Sequence, residues 1–565
     1  MPHVVVGGLL LLVIVMAAAP AAAAVITINP SNADASCNEQ FENVANSLQP
    51  GDELVLHGGT YSQSCRRAIT VNGTPAQPIT IRAATGEVPI LTRPVPPNLD
   101  YPQNNIEIVN SSYLVIRGLH FKGGSSGMTV TGHHITLEDN EIYETANNAL
   151  AINRGNTDSL VIRRNHIHHT GLLDLAAGTT EGEGMYIGCN NNDCTASNHL
   201  IEGNYIHHTR GTNDGGNDGI EVKVGSYNNV IRNNVIHDTN LGTRYPCIFV
   251  YGDGPGLNTV EGNVMWNCGE AIQVVSDAVI RNNIILTSDV GITAAPHVQV
   301  AGVHNVTIVN NTLYGHGECL FIRWSGARNV TLANNAVYCP SATAVDANLG
   351  SAVVRSNYVA GSGVSIDNSR FFAGGSATAA FDDPAGRSLW PAQNSVLRNT
   401  AAASLAPQLD FNETVRTAPF DVGAYETDGQ ASNPGWQVVA GFKQIGSSPP
   451  PPPPPPTTFL LTVSKVGAGG GTVTSTPAGI NCGPDCTEAY TSGTPVALAP
   501  VAATGSTFAG WSGNSDCTDG AVTMNAARSC TATFNLTSLA AAADHAAVPS
   551  APGVPRVRVW EVTSR

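Results

Sequence analysis

Between residues 140 and 360 the chain repeats one short pattern of apolar and polar positions. A brief apolar alternation, such as Val161-Ile162-Arg163 or Val230-Ile231-Arg232, is followed by Asn, a variable residue and an apolar one. The Asn positions are Asn140, Asn165, Asn204, Asn234, Asn263, Asn283, Asn311, Asn335 and Asn357, so successive repeats run 25, 39, 30, 29, 20, 28, 24 and 22 residues. Alternation with period two marks short half-buried strands. Self-similarity at this period marks a solenoid with one coil of a few strands per repeat. A single coil of about 22 residues cannot bury its own apolar face. Coils stacked ~4.8 Å apart pair their strands and enclose a continuous Ile, Val and Leu interior.

The expected fold class is all-β: a right-handed parallel β-helix followed by a small disulfide-pinned β module. Asn at a fixed place in every coil can take the left-handed backbone conformation and hydrogen-bond to the Asn of the next coil. The ladder is therefore read as structural. Residues 38–48 form an amphipathic stretch that predicts a helix capping the open end of the solenoid. Residues 361–448 lose the repeat and are expected to cap the far end or lie along the side. Eight prolines from Pro449 to Pro456 predict an extended spacer of ~25 Å at ~3.1 Å per residue. The expected organisation is a leader over 1–24, the body over 25–448, a linker over 449–457, a second module over 458–536 and a disordered Ala-rich tail over 537–565.

Composition narrows the function. Charged residues make up 12% of the 565, about half the usual share, and the formal net charge is −16. That balance argues against nucleic acid, whose phosphates need a basic face. An acidic polymer is a partner only through a local basic group or a bound cation. The apolar run from Val4 to Ala19, followed by Ala22-Ala23-Ala24, predicts a secretory leader and a secreted, extracellular protein. No later run is long enough to span a membrane. Twelve Cys fit an oxidising destination. Proximity suggests Cys37–Cys65, Cys189–Cys194, Cys247–Cys268, Cys319–Cys339, Cys482–Cys486 and Cys517–Cys530; no His cluster near the last two pairs argues for zinc.

The segments PGDELVLHGGTY from Pro50 to Tyr61 and GTPAQPITIR from Gly73 to Arg82, with the repeats that follow, resemble the β-helix polysaccharide lyases and their relatives over residues 38–360. That fold also serves hydrolases, epimerases and adhesins. In the second module, the stretches around Leu461, Gly470 and FAGWSG at Phe508–Gly513 resemble the divergent internalin-type B-repeat of secreted bacterial proteins. The resemblance implies attachment to a surface or glycan, or a passive spacer.

Aligning the coils on the strand after each Asn turn gives an outward column Tyr186, Glu221, Phe249, Gln273, Thr293 and Phe321. A second reads Gly188, Lys223, Tyr251, Val275, Ala295 and Arg323, and a third Glu183, Asp218, Pro246 and Glu270. Glu183, Asp218 and Glu221 make an oxygen-rich set of the kind Ca²⁺ prefers. Lys223 is the candidate base, which must first lose its proton. Arg244 and Tyr251, one coil on, are candidates for substrate binding and proton donation. The set resembles the β-elimination sites of the chondroitinase B and alginate lyase group, where Lys follows acidic residues on one coil; the spacing differs, and no Arg-His-Gly segment follows. The bland alternative is an exposed Glu221–Lys223 ion pair worth little.

A further column aligns Glu144, His169, His208 and Asp238, with His168, His207 and His237 beside it. Two His and two carboxylates at ~4.8 Å steps could hold a transition metal or transfer protons, or form a side-chain ladder that satisfies the turns; His208, His237 and Asp238 are read as candidate substrate contacts. The insertion Gly171–Asn198, in the longest coil, is expected to flank the binding face, with Gly178–Glu183 overhanging the site. The leading expectation is a secreted, monomeric lyase of an acidic, uronate-containing polysaccharide that uses Ca²⁺. The alternatives are a non-catalytic glycan-binding or adhesive β-helix, and an epimerase or glycosidase in the same groove.

Overall fold

The computed structural model describes residues 23–30, 40–95, 103–172, 181–211, 216–239, 241, 245–300, 302–315, 317–365, 371–444, 458–483, 485–491, 494–524 and 526–537. Most of the expected leader, the proline run, nearly all of the tail, Cys37 and Arg244 lie outside these residues. The chain divides into two compact units, residues 1–448 and 449–565.

Three stacks of parallel strands run through the first unit. Sheet 1 contains Val161–Arg163, Leu200–Glu202, Val230–Arg232 and Asn258–Glu261 in register. Sheet 2 contains Glu141–Tyr143, His166–His168, Tyr205–His207, Val235–His237 and Val264–Trp266. Sheet 3 contains Leu150–Ile152, Met185–Ile187, Ile220–Val222, Pro246–Val250 and Glu270–Val274. Each strand pairs with its counterpart one coil on, as in a parallel β-helix.

Side-chain alternation decides what each sheet shows to solvent. In sheets 1 and 2 the middle residue of a three-residue strand points inward: Ile162, Ile201 and Ile231, and Ile167, Ile206 and Ile236, are all buried. In sheet 3 the two flanking residues point inward, as with Met185 and Ile187 or Ile220 and Val222. The middle residues Tyr186, Glu221 and Phe249 are thereby turned outward. Each fully buried Ile or Leu contributes ~1.5–3 kcal/mol of transfer free energy, so a one-residue slip would expose the interior and hide this polar column.

The Asn ladder is continuous from Asn140 to Asn357. Each side-chain amide donates to Oδ1 of the next Asn at 2.9–3.1 Å. The left-handed conformation belongs to the preceding residue and not, as expected, to the ladder Asn. Asp139, Arg164, Gly203, Asn233, Gly262, Asn282, Asn310, Asn334 and Ser356 have φ between 49° and 64°. The chain makes its corner there, which frees the Asn backbone N–H to donate to the Asn Oδ1 of the next coil.

The helix Gln40–Ala45 buries Phe41 and Ala45. Glu42 and Asn46 accept from the N–H groups of Ala68 and Thr70, at the first strand of sheet 3. An unpaired edge is thus covered, as a solenoid end requires. At the far end Phe371–Ala373 adds one more strand. The rest of 371–444 lies along the side against sheet 2: Phe381, Trp390, Phe411 and Tyr425 pack with Trp266, Leu286 and Tyr338. The buried Lys443 ammonium fastens this strap by donating to the carbonyls of Gly262 and Phe411 and to Asn233 Oδ1.

Five expected disulfides are present: Cys189–Cys194, Cys247–Cys268, Cys319–Cys339, Cys482–Cys486 and Cys517–Cys530. Cys65 is also disulfide-bonded. The second unit has a four-stranded and a three-stranded sheet around Leu461, Val463, Val473, Tyr490 and Phe534. Among the described residues no helix is long and apolar enough to cross a membrane.

Candidate active site

The outward columns of sheet 3 stack as the alternation predicts. Tyr186 pairs with Glu221, Glu221 with Phe249 and Phe249 with Gln273. Together with the preceding turn they line a pocket of about 290 Å³ formed by Glu181, Glu183, Tyr186, Asn190, Gly216, Asp218, Glu221, Lys223, Tyr245, Phe249, Tyr251, Gln273 and His297.

Lys223 stands at its centre. Its ammonium donates to Glu221 Oε1 at 2.5 Å and to the Tyr251 hydroxyl at 3.3 Å, and that hydroxyl donates to the same Glu221 oxygen at 3.1 Å. The ammonium also lies 4.8 Å and 4.7 Å from the ring centres of Tyr186 and Tyr251. The Lys223 and Glu221 side chains are only 7% and 6% exposed, so the pair is not the exposed ion pair of the bland alternative. Burial, reinforced by the Glu221 and Asp218 carboxylates, holds the Tyr251 phenol well above its ordinary range.

Glu183, Asp218 and Glu221 come together although they lie on two coils. One oxygen from each falls within 4.8 Å of the others, and all three side chains are buried. Burial first, then the neighbouring carboxylates, raises Glu183 and Asp218 well above the usual range; Lys223 opposes the rise at Asp218. Burial also raises Glu221 against the pull of Lys223. Glu183 Oε2 and Asp218 Oδ1 have no hydrogen-bond partner among the described residues. Gly216 leaves the space beside them open, since a Cβ there would stand 2.5 Å from Glu183 Oε1 and 3.4 Å from Asp218 Oδ2. Ca²⁺ binds oxygen at 2.3–2.6 Å, so ligand oxygens up to ~5 Å apart can share one ion. The donor set, the partnerless oxygens and the open space fit a hard divalent cation.

Asn190, in the loop closed by Cys189–Cys194, lines the pocket together with Glu181 and Glu183, while residues 178–180 of the expected overhang lie outside the described residues. Gln299 donates to the carbonyl and side-chain oxygens of Asn190 at 2.7 and 2.8 Å. This ties the disulfide loop to the loop carrying His297, whose ring sits edge-on 4.9 Å from Tyr251. Sequence reasoning missed His297, Asn190 and Tyr245. His297 follows the strand Val290–Ala294 in a loop outside the repeat, so no column contains it.

His208, His237 and Asp238 do not join this pocket. They belong to sheet 2 and the turn after it, where His237 stacks between His207 and Trp266 at 5.1 and 4.3 Å. His169, His208 and Asp238 are left-handed turn residues. Alternation explains the separation: both columns face outward, but from different sheets.

Residues 195–337 match the family described as right handed beta helix region. The body is a right-handed parallel β-helix. Residues 461–538, beyond it, match the divergent InlB B-repeat domain. No curated protein matches the sequence. In shape the β-helix is similar to an alginate lyase from Paenibacillus sp. str. FPU-7, at 20% identity over 53% of this chain and 98% of that one, with a TM-score of 0.43. It is also similar to the pectate lyase Pel9A (15% identity, 71% and 96% covered, TM-score 0.40) and to XylC in complex with xylose (10%, 72% and 99%, TM-score 0.46). These are likenesses of fold and leave the reaction open.

Proposed function

We propose that this chain is a secreted lyase that cleaves an acidic, uronate-containing polysaccharide by β-elimination in the sheet 3 pocket. The observation that carries this reading is the cationic side chain of Lys223, held between Glu221 and Tyr251 beside two buried carboxylates whose oxygens have no partner among the described residues. The four carboxylates of Glu181, Glu183, Asp218 and Glu221 outnumber the Lys223 ammonium and repel an anionic sugar. The pocket suits such a substrate only with a bound cation, and Glu183, Asp218 and Glu221 would hold Ca²⁺. When bound, that ion supplies charge that neutralises the uronate carboxylate and acidifies the adjacent C5–H.

Lys223 Nζ, in its neutral form, takes the C5 proton. The C4–O4 bond breaks, a C4=C5 double bond forms, and the Tyr251 hydroxyl protonates O4. Tyr186 and Phe249 form the apolar part of the pocket lining. His297 and the Cys189–Cys194 loop limit water at the reacting carbon. Arg244, one residue before the pocket-lining Tyr245, is assigned to the substrate carboxylate. The N-terminal apolar run and the disulfides support secretion, and the B-repeat module is assigned to surface or glycan attachment.

The test is ultraviolet absorbance of the new double bond with alginate, pectate and glycosaminoglycans, with and without Ca²⁺. A rise with at least one polymer, abolished by chelator and by Lys223→Ala, is expected. Absence of any rise on the whole panel with Ca²⁺ present would overturn the reading. Binding without turnover would favour a glycan-binding protein, and a product heavier by one water would favour a glycosidase.

A further inference from the structure

Sheet 2 carries a second group of chemically capable side chains that the lyase reading does not use. Glu141 lies between imidazoles of the two flanking coils, His120 from the coil before and His166 and His168 from the coil after. Its Oε1 is 2.8 Å from His168 Nε2 and 3.4 Å from His166 Nδ1, and its Oε2 is 2.8 Å from His120 Nδ1. The pairing of Glu141 with His120 and His166 across neighbouring strands makes this vertical grouping a direct product of the register.

We propose that Glu141, His166 and His168 bind a divalent transition ion of the zinc class, with His120 as the adjacent fourth donor. One donor atom from each of the three lies within 4.8 Å of the others. Zn–N bonds of ~2.0–2.1 Å place donors around a tetrahedron about 3.3 Å apart, so small side-chain rotations suffice. The Glu141, His166 and His168 side chains are 25%, 30% and 13% exposed, which leaves a path for an ion.

The surroundings orient both imidazoles through their other ring nitrogens. His166 Nε2 is 2.9 Å from His207 Nε2, and His168 Nδ1 is 2.7 Å from His169 Nδ1. A metal at His166 Nδ1 and His168 Nε2 leaves the protons on Nε2 and Nδ1, where His207 and His169 accept them. Such hydrogen bonds fix ligand tautomer and ring direction in metal sites. Ring stacking adds rigidity: Tyr143, His168 and His207 lie 5.2 Å apart in succession, within 20° of parallel. Imidazole donors favour zinc-class ions, whereas the all-oxygen set of sheet 3 favours Ca²⁺. The two faces therefore sort two kinds of ion, and this site stands whether or not the lyase reading does.

The experiment is calorimetric titration of tag-free, full-length, chelator-dialysed protein with ZnCl₂ in excess Ca²⁺. One Zn²⁺ site that Ca²⁺ does not displace is expected. Glu141→Gln and His168→Ala should each weaken it at least about tenfold. Asp238→Asn and His304→Ala, in two other His–carboxylate groups of the β-helix, should leave it unchanged. Zinc K-edge absorption of the loaded wild type should show imidazole scattering, a readout that survives if His168→Ala fails to fold. Absence of Zn²⁺ binding, displacement by Ca²⁺, indifference to Glu141→Gln, loss in Asp238→Asn or His304→Ala, or a spectrum without imidazole would each overturn the proposal.

Discussion

Glu183 Oε2 and Asp218 Oδ1, one coil step apart in the same outward column, are both buried and accept no hydrogen bond from any described residue. Two buried carboxylates without compensation destabilise the fold, since uncompensated buried charge is costly. Ca²⁺ should therefore stabilise the protein, by about 2.7 kcal/mol at a hundredfold excess over Kd. Asp218→Asn should raise the melting temperature of the chelated protein and remove most of the Ca²⁺-induced shift. Differential scanning calorimetry of both proteins with and without Ca²⁺ checks this; an undiminished shift in the variant would exclude Asp218 as a ligand.

Lys223→Ala removes both the proposed base and the cation that compensates buried Glu221. Turnover should fall by ~10²–10⁴, the usual weight of a positioned base. Stability should fall by about 3–5 kcal/mol, the cost of leaving half a buried pair. Tyr251→Phe keeps the ring over the ammonium and loses only the hydroxyl, so kcat should fall with a stability loss of about 1–3 kcal/mol, smaller than that of Lys223→Ala. Parallel kinetics and urea unfolding distinguish the two.

Gly216→Ala is the most selective probe of the cation space. Its Cβ would crowd Glu183 Oε1 at 2.5 Å without altering any titratable group. The Ca²⁺ concentration needed for half-maximal activity should rise at least about tenfold, while the Lys223–Glu221–Tyr251 contacts persist. An unchanged Ca²⁺ requirement would place the ion elsewhere.

The ladder makes a stability prediction. Asn263 donates to Ile231 O and Asn283 Oδ1 and accepts from the backbone and side chain of Asn234, all in the interior. Asn263→Ala strands several buried groups at about 1–3 kcal/mol each, so a loss of at least about 2 kcal/mol in urea unfolding is expected.

His199 makes the stability depend on pH. It stands where later coils carry Asn229 and Asn258, and its backbone N–H donates to Asn229 Oδ1. Its Nδ1 accepts from Leu160 N–H, and its Nε2 meets Thr157 Oγ1. Burial pushes its pKa down to about 4 against the pull of Asp158. A depressed His pKa means that the unfolded chain binds the extra proton, so stability rises with pH. The contribution is complete above about 6.5 and is lost as pH falls toward about 4. His199→Asn should keep the ladder and flatten this part of the pH–stability curve. An equally steep curve in the variant would assign the acid sensitivity to other groups.

The coils are legible in the order of amino acids alone. The Asn spacing locates the turn from sheet 1 to sheet 2 in every coil from Asn140 to Asn357, and period-two alternation puts Tyr186, Glu221, Phe249 and Gln273 into one column, because strand geometry leaves a side chain only two directions. That order also places Glu183, Asp218, Glu221, Lys223 and Tyr251 near one another, since in a solenoid the repeat length converts sequence distance into vertical neighbours. Which columns share a face emerges only in the folded cylinder. His208, His237 and Asp238 point outward as regularly as Glu221 does, yet from sheet 2, and the angle between sheets is set by corners the hydrophobic pattern does not encode. Only the structure could bring in His297 and Asn190, which reach the pocket from loops outside the repeat, or show that Lys223 and Glu221 are buried. Burial depends on what loops of other coils cover, and that is a property of the assembled cylinder.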